Sequence, residues 1–430
     1  MRNLLKILKR AFIGANEAPA TLLFLFFLFL GSCVLCSRLA IHTLVPNRWQ
    51  RHAPFRQILK GGASEIGGTP QREGSFRAKT EWEFSQNFPF RISILESSSL
   101  WDRTIGWNIP PLDPWLSPFH VADGYLSRSS YRVQEYRRKD AEHVRMLADW
   151  LSKRNIPVLY VIPPSRLSHS DKLYNDVFDF SAEQNLSLSL FAKSNNIPVL
   201  DLSQKAETEH MDNHSMFYST DHHFNVRTAR WAAESIAERL VSLSVFDFDF
   251  NLLAQTNRWT DIPIDKSFLG SIGRKATKAW STPETFFIPT TSLPHQFVFE
   301  HLGFTGTNTK EEGCFDVFFR RSHENFGGVY RGYRYETICR GSGRIVRIRN
   351  RTIPEAPKLL FVADSYDNAI LPFIACVCSE VVSVDGRNGD VNVPELVANN
   401  HFDAAVILFS VPPDERYLSC FMASEDFAKR

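Results

Sequence analysis

A repeated pentapeptide constrains the fold of this chain most strongly. Asn-Ile-Pro-Val-Leu occurs at residues 155–159 and again at 196–200, each time after a polar segment of helical length. Asparagine can end a helix, proline prevents its continuation, and the β-branched run that follows is typical of a strand. The first of these helices is predicted over residues 134–154, where apolar residues recur at helical spacing. The repeat therefore predicts consecutive αβ units.

Three later apolar runs extend this pattern. They are KLLFVADS, VVSVDGR and FDAAVILFS, separated by the helix-length segments NAILPFIACVC and VNVPELVANN. Short runs buried on both faces and alternating with helices predict a parallel sheet with helices on both of its faces. Residues of about 245–345 are rich in Phe, Thr and Gly and are predicted to form an irregular or antiparallel insertion. We expect one α/β domain over residues 81–420, split by this insertion.

The N-terminus is predicted to anchor the chain in a membrane. No residue between Glu17 and Arg38 is charged, and basic residues precede the run. Residues 1–40 are therefore expected to be a cytoplasmic tail and a single membrane-spanning helix, with residues 41–80 as a linker and the domain outside. A removed signal peptide and a lipoprotein with its lipid at Cys33 are the alternatives. The absence of an obvious small-x-small cleavage site favours the anchor.

Composition excludes several classes of protein. The chain has 430 residues, 43% of them apolar, which is enough for a sizeable core. Forty-nine Lys and Arg against 47 Asp and Glu leave a net charge of +2, without a long basic block. Nucleic acid is therefore not an expected partner. The cysteines lack the paired spacing of a zinc site, and no cofactor is expected. Cys314 and Cys339 are either bridged or free thiols.

Ser365 is a candidate nucleophile. It closes the apolar run FVAD and precedes a segment predicted to be helical, so it falls at the carboxyl end of a strand. Functional groups collect at that edge of an open α/β sheet. Its backbone N–H and the start of a helix would face a developing oxyanion. A serine that merely caps the helix is the alternative.

The stretch TDHHFN supplies the partners that a nucleophilic serine needs. A serine hydroxyl requires a base to take its proton and a carboxylate to orient that base. Asp221 and His223 stand two residues apart, so in an extended segment they would share one side while His222 points away. Asp221 would then bind one ring nitrogen of His223, and the other nitrogen would face Ser365. A metal site and a structural histidine pair are the alternatives.

Several segments, in this order, carry a resemblance to a known family. They are FPFRISILESSS, HVADGYLSRS, YVIPPSR, YSTDHHFNVRTA, SFLGSIGRKA, LLFVADSYDNAILPFIA, VVSVDGR and FDAAVILFS. The chain resembles the DHHW-motif proteins, relatives of the alginate O-acetylation proteins with SGNH-hydrolase-like domains. It departs from them at Phe224, which stands where the family has tryptophan, and at Arg166, where relatives often have lysine.

The resemblance implies a flavodoxin-like, SGNH-hydrolase-like α/β fold with a permuted motif order. It implies a membrane-anchored bacterial enzyme whose domain lies outside the cytoplasm and acetylates or deacetylates a polysaccharide, beside a membrane-bound O-acyltransferase. Asp221, His223 and Ser365 would be the triad. A catalytically inactive glycan-binding or assembly scaffold of the same fold is the alternative.

Four further residues are predicted to contact the substrate, namely Arg166, Tyr366, Asn368 and Arg387. Arg387 follows the strand VVSVD with one glycine between, so it also falls at a strand's carboxyl end. A structural ion pair with Asp385 is the alternative for this arginine.

Overall fold

The computed structural model describes residues 134–167, 181–243, 250–303, 308–323, 328–330, 334–387, 391–410, 413 and 415–422, with 93, 96, 100, 119–120 and 125–127 before them. The chain divides into Met1–Leu59 and Lys60–Arg430, and all described residues belong to the second unit. The predicted tail, anchor and linker lie outside the described residues. Among the helices that the structure describes, none combines the length and the apolar composition needed to cross a membrane.

The strands are β1 Phe119–His120, β2 Leu126–Ser127, β3 Val158–Ile162, β4 Val199–Asp201, β5 Trp259–Phe268, β6 Glu284–Thr291, β7 Phe297–Leu302, β8 Asn308–Gly313, β9 Ile345–Asn350, β10 Lys358–Ala363, β11 Glu380–Val384 and β12 Ala404–Leu408. The α-helices are α1 Gln134–Ser152, α2 Ser181–Ser194, α3 Leu202–Thr208, α4 Asn213–Met216, α5 Val226–Ser242, α6 Asn251–Ala254, α7 Ser271–Ala276, α8 Leu371–Ile374, α9 Val393–Ala398 and α10 Glu415–Met422. Short 3₁₀ helices span Thr256–Arg258, Phe315–Phe318, Arg320–His323 and Arg334–Arg340.

An eight-stranded sheet in the order β4-β3-β12-β10-β11-β9-β7-β8 forms the centre of the described part. The five strands from β4 to β11 pair in parallel, and the last three join antiparallel. All five parallel strands come from the apolar runs identified in the sequence. The predicted α/β architecture with a mostly parallel sheet is confirmed.

Hydrophobic cores lie on both faces of this sheet. Alternate residues of β3 point to opposite sides, so Leu159 and Val161 join one core while Tyr160 and Ile162 join the other. The apolar faces of α5 and α1 cover these two cores, respectively. Burial on both faces explains why β3, β10, β11 and β12 read as continuous apolar runs, whereas the edge strand β4 is half-buried.

Both asparagines of the repeated pentapeptide end a helix, as predicted. Asn155 and Asn196 have φ angles of 58° and 56°, the left-handed conformation found after helix ends. The next N–H in each case reaches back into the last turn, from Ile156 to the carbonyl of Leu151 at 3.2 Å and from Ile197 to that of Ala192 at 2.9 Å. These caps turn the chain directly from α1 into β3 and from α2 into β4.

The predicted insertion contains antiparallel pairs of two kinds. Strands β5 and β6 form a separate two-stranded sheet, with α7 between them in the chain. Strands β7 and β8 instead extend the central sheet through β9. The segment is therefore partly a continuation of the main sheet and only partly an excursion from it.

Cys314 and Cys339 are free thiols, so the possible bridge between them is not formed. Cys339 is fully buried in a hydrophobic core. Cys314 is exposed before a 3₁₀ helix, where its sulfur accepts a hydrogen bond from Gln296.

Candidate active site

Ser365 lies two residues beyond β10, at the carboxyl end of the central strand. The helix expected to begin directly after it is absent, because a turn intervenes and α8 begins only at Leu371. A helix dipole acts within its first turn, so it contributes little at this serine. The backbone N–H of Ser365 donates to no acceptor in the described part of the chain. That N–H is available to an incoming oxygen.

A chain of hydrogen bonds joins Asp221, His223 and Ser365. Oδ1 of Asp221 lies 2.7 Å from Nδ1 of His223, and Nε2 of His223 lies 2.9 Å from Oγ of Ser365. Asp221 is 0% exposed and His223 3%, whereas Ser365 is partly exposed. The arrangement matches a triad, with a buried carboxylate, an oriented imidazole and the hydroxyl of a partly exposed serine.

A turn, rather than the extended segment that was expected, brings Asp221 and His223 together. Phe217 and Phe224 form a β-bridge that closes the loop between them. Within it, Oδ1 of Asp221 also accepts the backbone N–H of His223 at 3.0 Å. The carboxylate therefore binds both the backbone and the ring of His223, which fixes the ring relative to Asp221.

The ring of His223 lies between two other rings. Tyr335 stacks on it with centroids 3.8 Å apart and planes at 13°, and the Tyr335 hydroxyl donates to the carbonyl of Ser365 at 3.2 Å. Burial raises the pKa of Tyr335 well above its usual value, so this hydroxyl stays protonated. On the other side lies His222, with centroids 3.8 Å apart. Tyr335 thus touches both the base and the nucleophile's backbone.

His222 does not point away from the site. Its side chain is 38% exposed, and its Nδ1 lies 2.8 Å from Oγ of Ser271 and 3.5 Å from Oδ1 of Asp221. Potential ligand atoms of Asp221, His222 and His223 lie within 4.8 Å of one another, close enough to hold a metal ion. Such an ion would replace the hydrogen bond between Asp221 and His223, so the metal and triad arrangements exclude each other.

Tyr366 and Asn368 are buried and bind neighbouring protein atoms, and their contact with the substrate stays a prediction. Tyr366 is 7% exposed, and its hydroxyl donates to the carbonyl of His222. Asn368 is 2% exposed and donates from Nδ2 to Oγ of Ser342 at 3.2 Å. Phe224 packs edge-to-face on Tyr366 with centroids 5.2 Å apart. The ring at Phe224 therefore retains a packing role without an indole N–H.

Arg166 binds mainly backbone carbonyls. Its guanidinium donates to the carbonyls of Leu126, Tyr218 and Ser219, the last two at 2.8 Å and 2.9 Å. It stacks on Tyr125, with Cζ 3.9 Å from the ring centroid. These bonds hold the strand β2 and the turn before Asp221, and contact of Arg166 with a substrate stays a prediction.

Arg387 forms the ion pair that was the alternative to substrate contact. Its Nε lies 2.9 Å from each carboxylate oxygen of Asp385. Burial opposes the charge of Arg387, but the bond to Asp385 raises its pKa overall. The arginine side chain is still 48% exposed, so its contact with a substrate stays a prediction.

Sequence reasoning missed Glu284, Ser271 and Tyr335. Glu284 accepts hydrogen bonds from the backbone N–H groups of Ser219 at 2.9 Å and Thr220 at 2.8 Å. The Ser271 N–H donates to Oδ2 of Asp221. Ser271 lies in SFLGSIGRKA, a segment that the family resemblance had singled out. Glu284 and Tyr335 carry no local signal, because their partners are far away in sequence.

Comparison with known proteins supports the same family. Residues 121–262 match the family model described as SGNH hydrolase-like domain, acetyltransferase AlgX. No curated protein matches the chain. Bacillus cereus PatB1, in its structure with a sulfonyl adduct, is similar with a TM-score of 0.56 at 15% identity, covering 69% of this chain and 98% of that one. A DHHW family protein from Eubacterium siraeum DSM 15702 is similar with a TM-score of 0.52 at 17% identity, covering 71% and 94%.

At these identities the two structures establish a shared fold. The resemblance predicted from the sequence is thereby confirmed: residues 121–262 match the model of the SGNH hydrolase-like domain of acetyltransferase AlgX, and the chain shares its fold with a DHHW family protein.

Proposed function

We propose that this protein is a serine acyltransferase or esterase that acts on acetyl groups of a cell-surface or exported polysaccharide. The observation that carries the proposal is the hydrogen-bonded chain from Asp221 through His223 to Ser365. The AlgX acetyltransferase match supports the acetyl group as the one transferred. We also propose that the fold is flavodoxin-like. Its motif order would be permuted, because Asp221 and His223 precede Ser365 in the sequence.

In this mechanism, Oγ of Ser365 attacks the acetyl carbonyl as its proton passes to Nε2 of His223. Asp221 orients the ring and stabilises the imidazolium, while the Ser365 N–H faces the oxyanion. When the tetrahedral intermediate collapses, the leaving oxygen takes the proton from His223 and the acetyl group remains on Ser365. A glycan hydroxyl or a water then attacks with His223 as base, giving a new ester or acetate and restoring Ser365.

Hydrolysis of an artificial aryl acetate by the full chain tests this proposal. Wild type is expected to release the aryl alcohol, and Ser365→Ala to reduce the rate to background. The control Ser242→Ala removes an exposed hydroxyl at the end of α5, where it donates to the carbonyl of Arg239, and should retain the rate.

A sulfonyl fluoride provides a second measurement, because an activated serine displaces fluoride and forms a sulfonate ester. Peptide mass spectrometry is expected to locate the sulfonyl group on Ser365 in wild type and in Ser242→Ala. A wild type without hydrolysis above Ser365→Ala and without modified Ser365 would overturn the enzyme proposal and favour the inactive scaffold.

The uncharged run between Glu17 and Arg38 supports a further part of the proposal, that the domain is anchored at the outer face of a bacterial cell membrane. There it could receive acetyl groups from a membrane-bound O-acyltransferase, the partner that the resemblance implies. Removing residues 1–40 is expected to move the protein from the membrane fraction to the soluble fraction. A truncated chain that still sediments with membranes contradicts the anchor.

A further inference from the structure

The backbone that leads into Asp221 is held from two sides. Arg166 donates to the carbonyls of Tyr218 and Ser219, at 2.8 Å and 2.9 Å. Glu284 accepts from the N–H groups of Ser219 and Thr220, at 2.9 Å and 2.8 Å. A cation therefore binds the carbonyls and an anion binds the amides of the same three-residue segment.

The Glu284 carboxylate has its accepting positions filled by this segment. Oε2 accepts from both the N–H and the hydroxyl of Ser219, and Oε1 accepts from both the N–H and the hydroxyl of Thr220. Hydrogen bonds to an ionised acceptor are about twice as strong as neutral ones. Burial raises the pKa of Glu284, while all four donors favour its charged form.

Thr220 connects Glu284 to the segment that contacts Asp221. Its hydroxyl accepts the N–H of Gly270 at 2.8 Å, and its carbonyl accepts those of Ile272 and Gly273 at 3.1 Å and 2.8 Å. The Ser271 N–H then reaches Oδ2 of Asp221. Gly270 lies so close that a Cβ there would collide with the side chain of Asp221.

All of these contacts except those of Arg166 come from one arm of the chain, formed by β5, α7 and β6. Glu284 is the first residue of β6, Gly270 is the N-cap of α7, and Ser271 is the first residue of α7. Triad geometry is demanding, since a displacement of about 1 Å can cost roughly 100-fold in rate. An arm that fixes both the backbone and the side chain of Asp221 is suited to that demand.

We propose that Glu284, together with Arg166, positions Asp221 for its hydrogen bond to His223, and that the arm from β5 to β6 serves the active site in this way. Both are positioning residues, because their bonds are to backbone and hydroxyl groups of the turn and not to reacting atoms. The inference rests on the proposed function for its effect on catalysis. Its effect on the bond between Asp221 and His223 can be measured without any turnover.

The variant Glu284→Gln tests the inference in the full chain. The amide keeps one accepting oxygen but turns an NH₂ group towards donors of Ser219 or Thr220, so the turn must shift. The matched control is Asp265→Asn, the same chemical change on β5, at an exposed carboxylate that accepts from the hydroxyl of Thr285.

The first readout is the low-field NMR resonance of the Nδ1 proton of His223, assigned in histidine-labelled protein by its loss in Asp221→Asn. We expect Glu284→Gln to move or abolish this resonance and to lower kcat for the aryl acetate about 10- to 100-fold with KM nearly unchanged. Asp265→Asn should leave both unchanged. An unaltered resonance in a folded Glu284→Gln protein would overturn the inference.

A second pair of variants covers the case in which Glu284→Gln fails to fold. Thr220→Val removes the hydroxyl that links Glu284 to Gly270, whereas Thr220→Ser retains it. The inference requires the resonance and kcat to change in Thr220→Val and to be kept in Thr220→Ser. If Thr220→Val only lowers the melting temperature, Glu284 is merely structural. If wild type shows the resonance but no esterase activity, the proposed function fails while the positioning inference is still decided by the resonance.

Discussion

The two adjacent histidines, His222 and His223, have different hydrogen-bond partners and therefore different expected roles. His223 is buried, with its two ring nitrogens 2.7 Å from Asp221 and 2.9 Å from Ser365. His222 is more exposed and its Nδ1 binds the hydroxyl of Ser271. The pairing of Asp221 with His223 was expected from the two-residue repeat of a strand, whereas the structure produces it with a turn.

Replacing the two histidines separately is therefore expected to give very different losses. His223→Ala should cost roughly 3 to 8 kcal/mol of transition-state stabilisation, because base and nucleophile act as one unit. His222→Ala should cost far less, since this ring contacts the base without bonding to Ser365. The measurement is kcat/KM for the aryl acetate in both variants, beside Ser365→Ala and Asp221→Asn.

Two outcomes would contradict this assignment. A fully active His223→Ala would end the triad hypothesis. Equal losses in the two histidine variants, restored by adding zinc to a weakened site, would instead favour the metal arrangement that the positions of Asp221, His222 and His223 allow.

At the scale of elements, the parallel strands and the helices before them were predictable because their signals are local. The asparagines of the repeated pentapeptide lie at the helix ends, and the continuous apolar runs became β3, β4, β10, β11 and β12. The helix predicted over residues 134–154 is observed as α1, Gln134–Ser152. Burial on both faces makes the runs of β3, β10, β11 and β12 stand out in the sequence, and the repeated pentapeptide marks β4.

The supports of the site could not be predicted in this way. Glu284 meets Thr220 across 64 positions of sequence, and Tyr335 meets Ser365 across 30. Neither glutamate nor tyrosine is marked by its neighbours, since the contact depends on how β6 and the segment Arg334–Arg340 pack. Motifs placed Arg166 and Tyr366 near the site, but their hydrogen bonds to the backbone of the turn could not be foreseen from the sequence.

At the scale of the whole molecule, carboxyl groups removed from water make stability depend on pH. Burial raises the pKa values of Asp367, Asp385 and Glu284. It also raises the pKa of Glu336, in the 3₁₀ segment that carries Tyr335, to about 7 from a usual 4.5. The charge of Arg274 opposes this last shift and that of Asp221 reinforces it.

Glu336 should lower the stability of the folded state as the pH rises. Its pKa is higher in the folded chain than in the unfolded one, so the folded state binds the proton more tightly. Protonated Glu336 contributes its full stabilisation below about pH 4.5. This contribution is lost as the pH rises through about 7. Above that pH the buried charge must be accommodated in the fold, at a cost that Glu336→Gln removes.

We therefore expect Glu336→Gln to raise the free energy of unfolding at pH 8 by about 1 to 2 kcal/mol relative to its effect at pH 4. One pKa unit corresponds to about 1.4 kcal/mol, and the partial exposure of Glu336 reduces the full value. Denaturant titrations of the full chain at both pH values supply the measurement. Glu207→Gln, at an exposed position of α3, is the control. Its effect on the free energy of unfolding should be small and equal at pH 4 and pH 8. A Glu336→Gln effect that is equal at pH 4 and pH 8 would show that this carboxyl group ionises in the fold as it does in the unfolded chain.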